Sequence, residues 1–225
     1  MSATTSLAAP TQAKRARRLH PWPVRIMHWT NAVATLVLIG SGWGIYNDSV
    51  IFSTVYFPKP ITLGSWAAVH LQWHFAAMWV LGLNGLAYLL YGFATGRFRK
   101  RLLPIRVGDI LHTVRDTLRF RIAHEDLTVY NAVQKLLYIA VILAGVMQVV
   151  SGLAIWKPVQ FQEITALLGG FQSARVVHFT GMAVIVGFLV VHVALALLVP
   201  QTLLAMLTGG PRLPPRPASA PEPRA

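Results

Sequence analysis

A chain of 225 residues that is 55% hydrophobic and only 12% charged is not composed like a water-soluble domain, which carries about twice that share of charge. Its net charge of +13 would suit a nucleic-acid binder, but the basic residues are distributed as in a membrane protein, and no nucleic-acid role is expected. The chain has no cysteine, which excludes disulfides, thiolate metal sites and C-x-x-C-H cofactor attachment. Any metal or cofactor must be held by histidine, methionine or oxygen ligands.

In chain order, residues 1–20 are small, polar and basic, and are expected to form a disordered cytoplasmic arm. Four apolar runs follow, at 24–46, 66–93, 136–156 and 176–200, each near or above the ~20 residues that a helix needs to span hydrocarbon. The first follows "HPWPVRIMHW" and is longer than the apolar core of a signal peptide, so it reads as a retained helix. Trp22 and Trp29 suit the membrane interface. The connection 47–65 holds Pro58, Pro60 and several aromatics and is expected to be an ordered outer loop.

The second run ends at the basic "RFRKR". Beyond it, "PIRVGDILHTVRDTLRF" places Ile105, Ile110, Leu111, Val114 and Leu118 on one helical stripe, with Arg106, Arg115 and Arg119 elsewhere on the wheel. Such a helix lies on the inner membrane surface, drawn to anionic lipid. The third run starts near "YNAVQKLLY" and stops at "WKP"; the fourth is "ARVVHFTGMAVIVGFLVVHVALALLV". The tail "GGPRLPPRPASAPEPRA" is proline-rich and expected to be disordered. No internal repeat is evident. The expected architecture is an all-α integral membrane protein: a four-transmembrane-helix bundle over 21–208, with a cytoplasmic amphipathic helix between helices 2 and 3. It lies between an arm at 1–20 and a tail at 209–225.

Charge sets the orientation. Lys14, Arg15, Arg17, Arg18 and Arg25 precede or open the first run, nine basic residues from Arg97 to Lys135 fill the connection between the second and third, and three lie in the tail. Only Lys59, Lys157 and Arg175 fall in the other two connections. This is the positive-inside pattern, and it places both termini and the middle connection in the cytoplasm.

The chemistry resides in the histidines. His20, His112 and His124 fall outside the apolar runs and read as surface residues, whereas His28, His70, His74, His178 and His192 lie in or near them. An imidazole in hydrocarbon is costly unless partnered. His178 and His192 are fourteen residues apart, about 40° short of the same helix face and about 21 Å apart along it. One metal cannot bridge that distance, but two cofactors stacked across the membrane can use it. Depth pairs His28, about 6 Å inside the cytoplasmic border, with His192, about 12 Å inside it. It pairs His178, about 6 Å from the outer border, with either His70 or His74, about 6 and 12 Å in. Two bis-histidine sites at two depths suit two b-type haems, with both axial positions filled for electron transfer. A proton relay is disfavoured, because the apolar cores contain no Asp or Glu.

The segments "RIMHWTNA", "WHFAAMWVLGLNGLAYLLYGFATGRFRKRLLP", "YNAVQK", "SGLAIWKP" and "ARVVHF…VVHV" together resemble the membrane-bound di-haem cytochromes b of the bacterial cytochrome b561 and nickel-hydrogenase group. That group includes cytochrome subunits of respiratory hydrogenases, formate dehydrogenases and other membrane-anchored molybdoenzymes. The resemblance covers roughly residues 20–210. It implies His28 and His192 as ligands of an inner haem, and His178 and His74 of an outer one, leaving His70 as a neighbour one turn away. It also implies a quinone pocket bordered by Asn131 and Gln134, whose amides can donate to a quinone carbonyl and equally can cap the start of the third helix. Arg25 and Arg175, one turn before His28 and His178, can pair with haem propionates or snorkel to the border. Arg97 stands where many relatives carry a further histidine, a position outside the membrane.

The expected function is a multi-pass inner-membrane electron-transfer subunit. It carries two b haems and passes electrons between the quinone pool and a periplasmic oxidoreductase partner of molybdoenzyme or hydrogenase type. A self-sufficient superoxide:quinone oxidoreductase on the same scaffold is one alternative. A haem-free membrane anchor or assembly factor is another.

Overall fold

The computed structural model describes residues 17–96, 132–210 and 212–213. Its framework is four long helices: α1 (Trp22–Asp48), α2 (Ala67–Ala94), α3 (Ala132–Trp156) and α5 (Phe171–Leu198). Two shorter ones, α4 (Gln162–Leu167) and α6 (Pro200–Thr208), follow α3 and α5. The amphipathic segment expected around 104–120, and Asn131, lie outside the described residues.

The boundaries follow local chemistry. Pro23 sits in the first turn of α1, where a missing N–H costs nothing. Pro158 stands two residues beyond Trp156, the last residue of α3, and proline cannot continue a helix. Gly169 and Gly170 adopt φ of 84° and 94° just before α5 begins. The fourth apolar run does not continue through 200: α5 ends at Leu198 and Pro200 opens α6, which closes on Gly209 in the left-handed conformation.

Among the described residues three helices are long and apolar enough to cross a membrane: Ala67–Ala94, Leu137–Trp156 and Phe171–Leu198. At 27 residues α1 is equally long, but it carries Arg25, His28, Asn31, Asn47 and Asp48, which dilute its apolar character. The sides of these helices are unusually bare. Leu83, Leu86 and Leu90 on α2, and Val190, Leu197 and Leu198 on α5, are more than half exposed, a surface that suits lipid rather than water.

Packing is organised as two hairpins. The well-populated backbone contacts join α1 to α2 and α3 to α5, and no comparable set joins one hairpin to the other among the described residues. Between hairpins, contact is made by rings: Phe75 and Trp79 meet Trp156, while Phe179 packs on Tyr46, Phe52 and Phe57. The connection 49–66 is ordered. Asn47 binds the Phe57 backbone N–H and C=O, the Tyr46 hydroxyl binds those of Phe52, and Leu63 N–H donates to Gly40 O.

The ends of the chain meet. Strand β1 (Arg17–Arg18) pairs antiparallel with β2 (Arg212–Leu213), His20 N–H donates to Gly209 O at 3.0 Å, and Arg25 Nε donates to Met206 O at 3.1 Å. The arm expected over 1–20 and the tail expected over 209–225 are therefore regular where they adjoin the bundle. Backbone pairing across the two segments ties them together.

Candidate haem-binding sites

The four histidines meet in two pairs, each spanning the two hairpins. The ring centroids of His74 on α2 and His178 on α5 are 6.4 Å apart, with planes inclined at 62°. Those of His28 on α1 and His192 on α5 are 6.1 Å apart, inclined at 61°. Among the described residues no three His, Asp or Glu side chains cluster as a metal-ion site would require. The rings gather only in twos.

The His74–His178 pair is held by two matching devices. Ser41 Oγ lies 3.0 Å from His74 Nδ1 and donates to Val37 O at 2.7 Å. Ser151 Oγ lies 3.0 Å from His178 Nδ1 and donates to Met147 O at 2.7 Å. With its proton committed to the helix carbonyl one turn back, each hydroxyl can only accept from the ring. Nδ1 therefore carries the hydrogen, and Nε2 keeps its lone pair for a metal. The next residue is glycine in both helices, and a Cβ at Gly42 or Gly152 would lie 3.4 Å from the Cε1 of its histidine. Each imidazole lies against a bare stretch of helix.

His70 belongs to neither pair. Its Nδ1 is 2.8 Å from Asp48 Oδ2, joining the first turn of α2 to the last residue of α1. The ring fills the space over Gly44 and Gly64, where added Cβ atoms would come within 2.5 Å of it.

The His28–His192 pair has a different setting. His28 meets Trp29 edge-on at 5.3 Å, and His192 stacks on Phe188 at 5.5 Å and 14°. Asn84, on α2, donates to both Met27 O at 2.8 Å and Asn31 Oδ1 at 2.7 Å, tying α2 to α1 at the residue just before His28 and at the one three beyond it. Next to Phe188 lies an apolar groove of about 250 Å³ between α3 and α5, lined by Leu137, Val141, Ala144, Val184, Gly187 and Val191 among others.

The remaining expected residues are placed as follows. Arg175 donates to Ser49 O and Oγ and to Gln172 Oε1, while Arg25 Nε serves Met206 O. Gln134 lies in the first turn of α3. Ser41, Ser151, Asn84 and Asp48 were not singled out by the sequence, in which nothing marks a serine or asparagine as facing a histidine of another helix.

The pairs fit a haem. An iron bonded at about 2 Å to one nitrogen of each of two imidazoles holds their ring centres about 6 Å apart, the spacing of both pairs. No well-populated set of backbone contacts joins the hairpins among the described residues, and the serines prepare Nε2 for ligation. Two buried polar atoms on the helices of the His74–His178 site, Trp43 Nε1 and Gln148 Oε1, have no hydrogen-bond partner among the described residues, as befits groups that face a polar substituent of a bound molecule.

The family model of prokaryotic cytochrome b561 matches residues 19–209. The chain belongs to this family. A relative from Azospira oryzae, which carries the name protein-methionine-sulfoxide reductase subunit YedZ1, is 44% identical over 197 residues, covering 88% of this chain and 99% of the relative. As a cytochrome b561, the protein is a membrane haem protein of electron transport.

Proposed function

We propose that this cytochrome b561 holds two b haems, one between His28 and His192 and one between His74 and His178, and passes electrons between the quinone pool and a periplasmic oxidoreductase. The observation that carries the proposal is the pair of inter-hairpin histidine contacts, at 6.1 and 6.4 Å, with their α5 members about 21 Å apart along one helix. When bound, haem would supply one-electron exchange, with the paired histidines as the residues that would hold it. The chain holds the axial rings, fixes their tautomers at the outer pair, and excludes water with Phe179, Tyr46, Phe57 and Trp156.

In this reading α1 is the fourth span of an inner-membrane bundle. The paired chain ends at 17–20 and 209–213 face the cytoplasm with the basic connection, and Ser49, Lys59 and Lys157 face the periplasm. The groove between α3 and α5 is the quinone site. It is apolar enough for an isoprenoid tail, Gln134 precedes its first lining residue by less than one turn, and Phe188 links it to His192 by direct stacking. Gln134 and Asn131 are the proposed donors to the quinone carbonyls, and Arg25 and Arg175 the proposed cations at the two propionate ends. The partner is supported by the relative named as a reductase subunit; a molybdoenzyme or hydrogenase would bring its own catalytic centre, leaving this chain as the conductor.

The deciding experiment is a reduced-minus-oxidised spectrum of protein purified from haem-replete cells, with pyridine haemochrome quantification. The expected result is two b haems per chain, falling to one in single alanine variants of His28, His74, His178 or His192. A colourless protein overturns the proposal.

A further inference from the structure

The two halves of the outer site repeat one device, although the sequence shows no obvious duplication. Ser41–Gly42 on α1 faces His74–Phe75 on α2; Ser151–Gly152 on α3 faces His178–Phe179 on α5. Both serines are completely buried. Both bond the carbonyl four residues back at 2.7 Å and face the ring at 3.0 Å, and both glycines give 3.4 Å clearance to Cε1. The carbonyls of Leu38 and Gln148, three residues before each serine, also stand beside their respective rings. At the inner pair, among the described residues, neither ring nitrogen of His28 or His192 has such an acceptor.

We infer that Ser41 and Ser151 are equivalent positioning residues that tune the outer haem through its two axial histidines, each from its own hairpin. The inference rests on the di-haem reading above. A histidine that donates its second N–H to an acceptor becomes a more basic ligand, which favours the oxidised iron. Removing either oxygen weakens that donation by a similar amount, because the two geometries agree to within 0.1 Å. Tautomer and ring orientation persist, since the neighbouring backbone carbonyl remains as an acceptor.

The test is redox titration of the purified cytochrome, comparing the wild type with Ser41→Ala, Ser151→Ala, the double variant and the hydroxyl-retaining Ser41→Thr and Ser151→Thr. Expected are unchanged haem content, and an outer-haem potential raised by a few-fold in reduction constant in each alanine variant, on a scale where tenfold is about 59 mV. The double variant should show the sum, the threonine variants the wild-type value, and the inner haem no change. A purely structural role for the serines predicts lower stability without this potential signature. Unequal shifts, no shift, or loss of the outer haem on alanine substitution would overturn the inference while leaving the di-haem reading intact. A wild-type protein with no outer haem would overturn that reading itself.

Discussion

The carboxylate of Asp48 and the ring of His70 close the connected end of the α1–α2 hairpin, with Nδ1 and Oδ2 2.8 Å apart and the imidazole buried. The histidine one turn from His74 thus spends its hydrogen bonding within its own hairpin, while His74 reaches across to α5.

His70→Ala and His74→Ala are therefore expected to differ in kind. Losing His70 leaves an unpaired carboxylate and a void between two glycines, a cost of about 1–3 kcal/mol in stability, with both haems retained. Losing His74 removes one haem. Thermal denaturation and haem per chain, measured on the same preparations, separate the two effects; a missing haem in the His70 variant would reverse the assignment.

Gly44 is the most sensitive glycine of α1. A methyl group there would lie 2.5 Å from the His70 ring, which is held by its 2.8 Å bond to Asp48. Gly44→Ala should cost about 1–3 kcal/mol by overpacking. Gly82→Ala and Gly85→Ala, where a Cβ meets nothing within 4 Å, should be neutral or gain up to about 1 kcal/mol of helix stability. Melting temperatures of the three variants in one detergent give the comparison.

Asn84→Leu should act on the inner site alone. The substitution frees Met27 O and Asn31 Oδ1, which flank His28, at a cost of about 1–2 kcal/mol for an interhelical hydrogen bond within the membrane. Inner-haem occupancy should fall while the outer haem remains full. Equal loss from both sites would show that Asn84 supports the bundle as a whole.

Much of this arrangement is legible in the residues. Helices α2, α3 and α5 announce themselves by uninterrupted apolar length, and histidines are conspicuous there because hydrocarbon makes an imidazole expensive. Counting rise per residue puts His28 and His192 in the same half of the span, about 6 Å apart in depth, and their ring centroids lie 6.1 Å apart. The same count leaves His70 and His74 undecided, since both lie within the error of a helix border. What separates them is Asp48, a residue of another helix. Ser41 and Ser151 were silent for a related reason: a serine that back-bonds its own helix has the same local sequence whether or not a ring lies over it. The repeat they form is two residues long in each helix, too short to register as a repeat. The terminal clasp was hidden as well, because its strands form from backbone groups that the basic, proline-rich composition does not advertise.

The groove beside Phe188 offers a fourth test. Gly187 lines it, and a Cβ there would meet nothing within 4 Å, so Gly187→Leu should fill the space without disturbing the helix. Quinone affinity is expected to fall about tenfold, roughly 1.4 kcal/mol of binding, with the haem spectrum unchanged. Steady-state KM for a soluble quinone analogue, set against haem content, checks this; an unchanged KM would place the quinone elsewhere.

The two hairpins satisfy their packing separately, and both histidine pairs draw one ring from α5. That division fixes an order of events during biogenesis. The first hairpin enters the membrane with His28 and His74 in place but with no second ring opposite either of them. Neither pair exists until the last long helix has been made and inserted, so on the proposed ligand assignment haem capture comes after synthesis of nearly the whole chain. A ribosome stalled before Phe171 would leave a membrane-inserted product unable to take up its pigment.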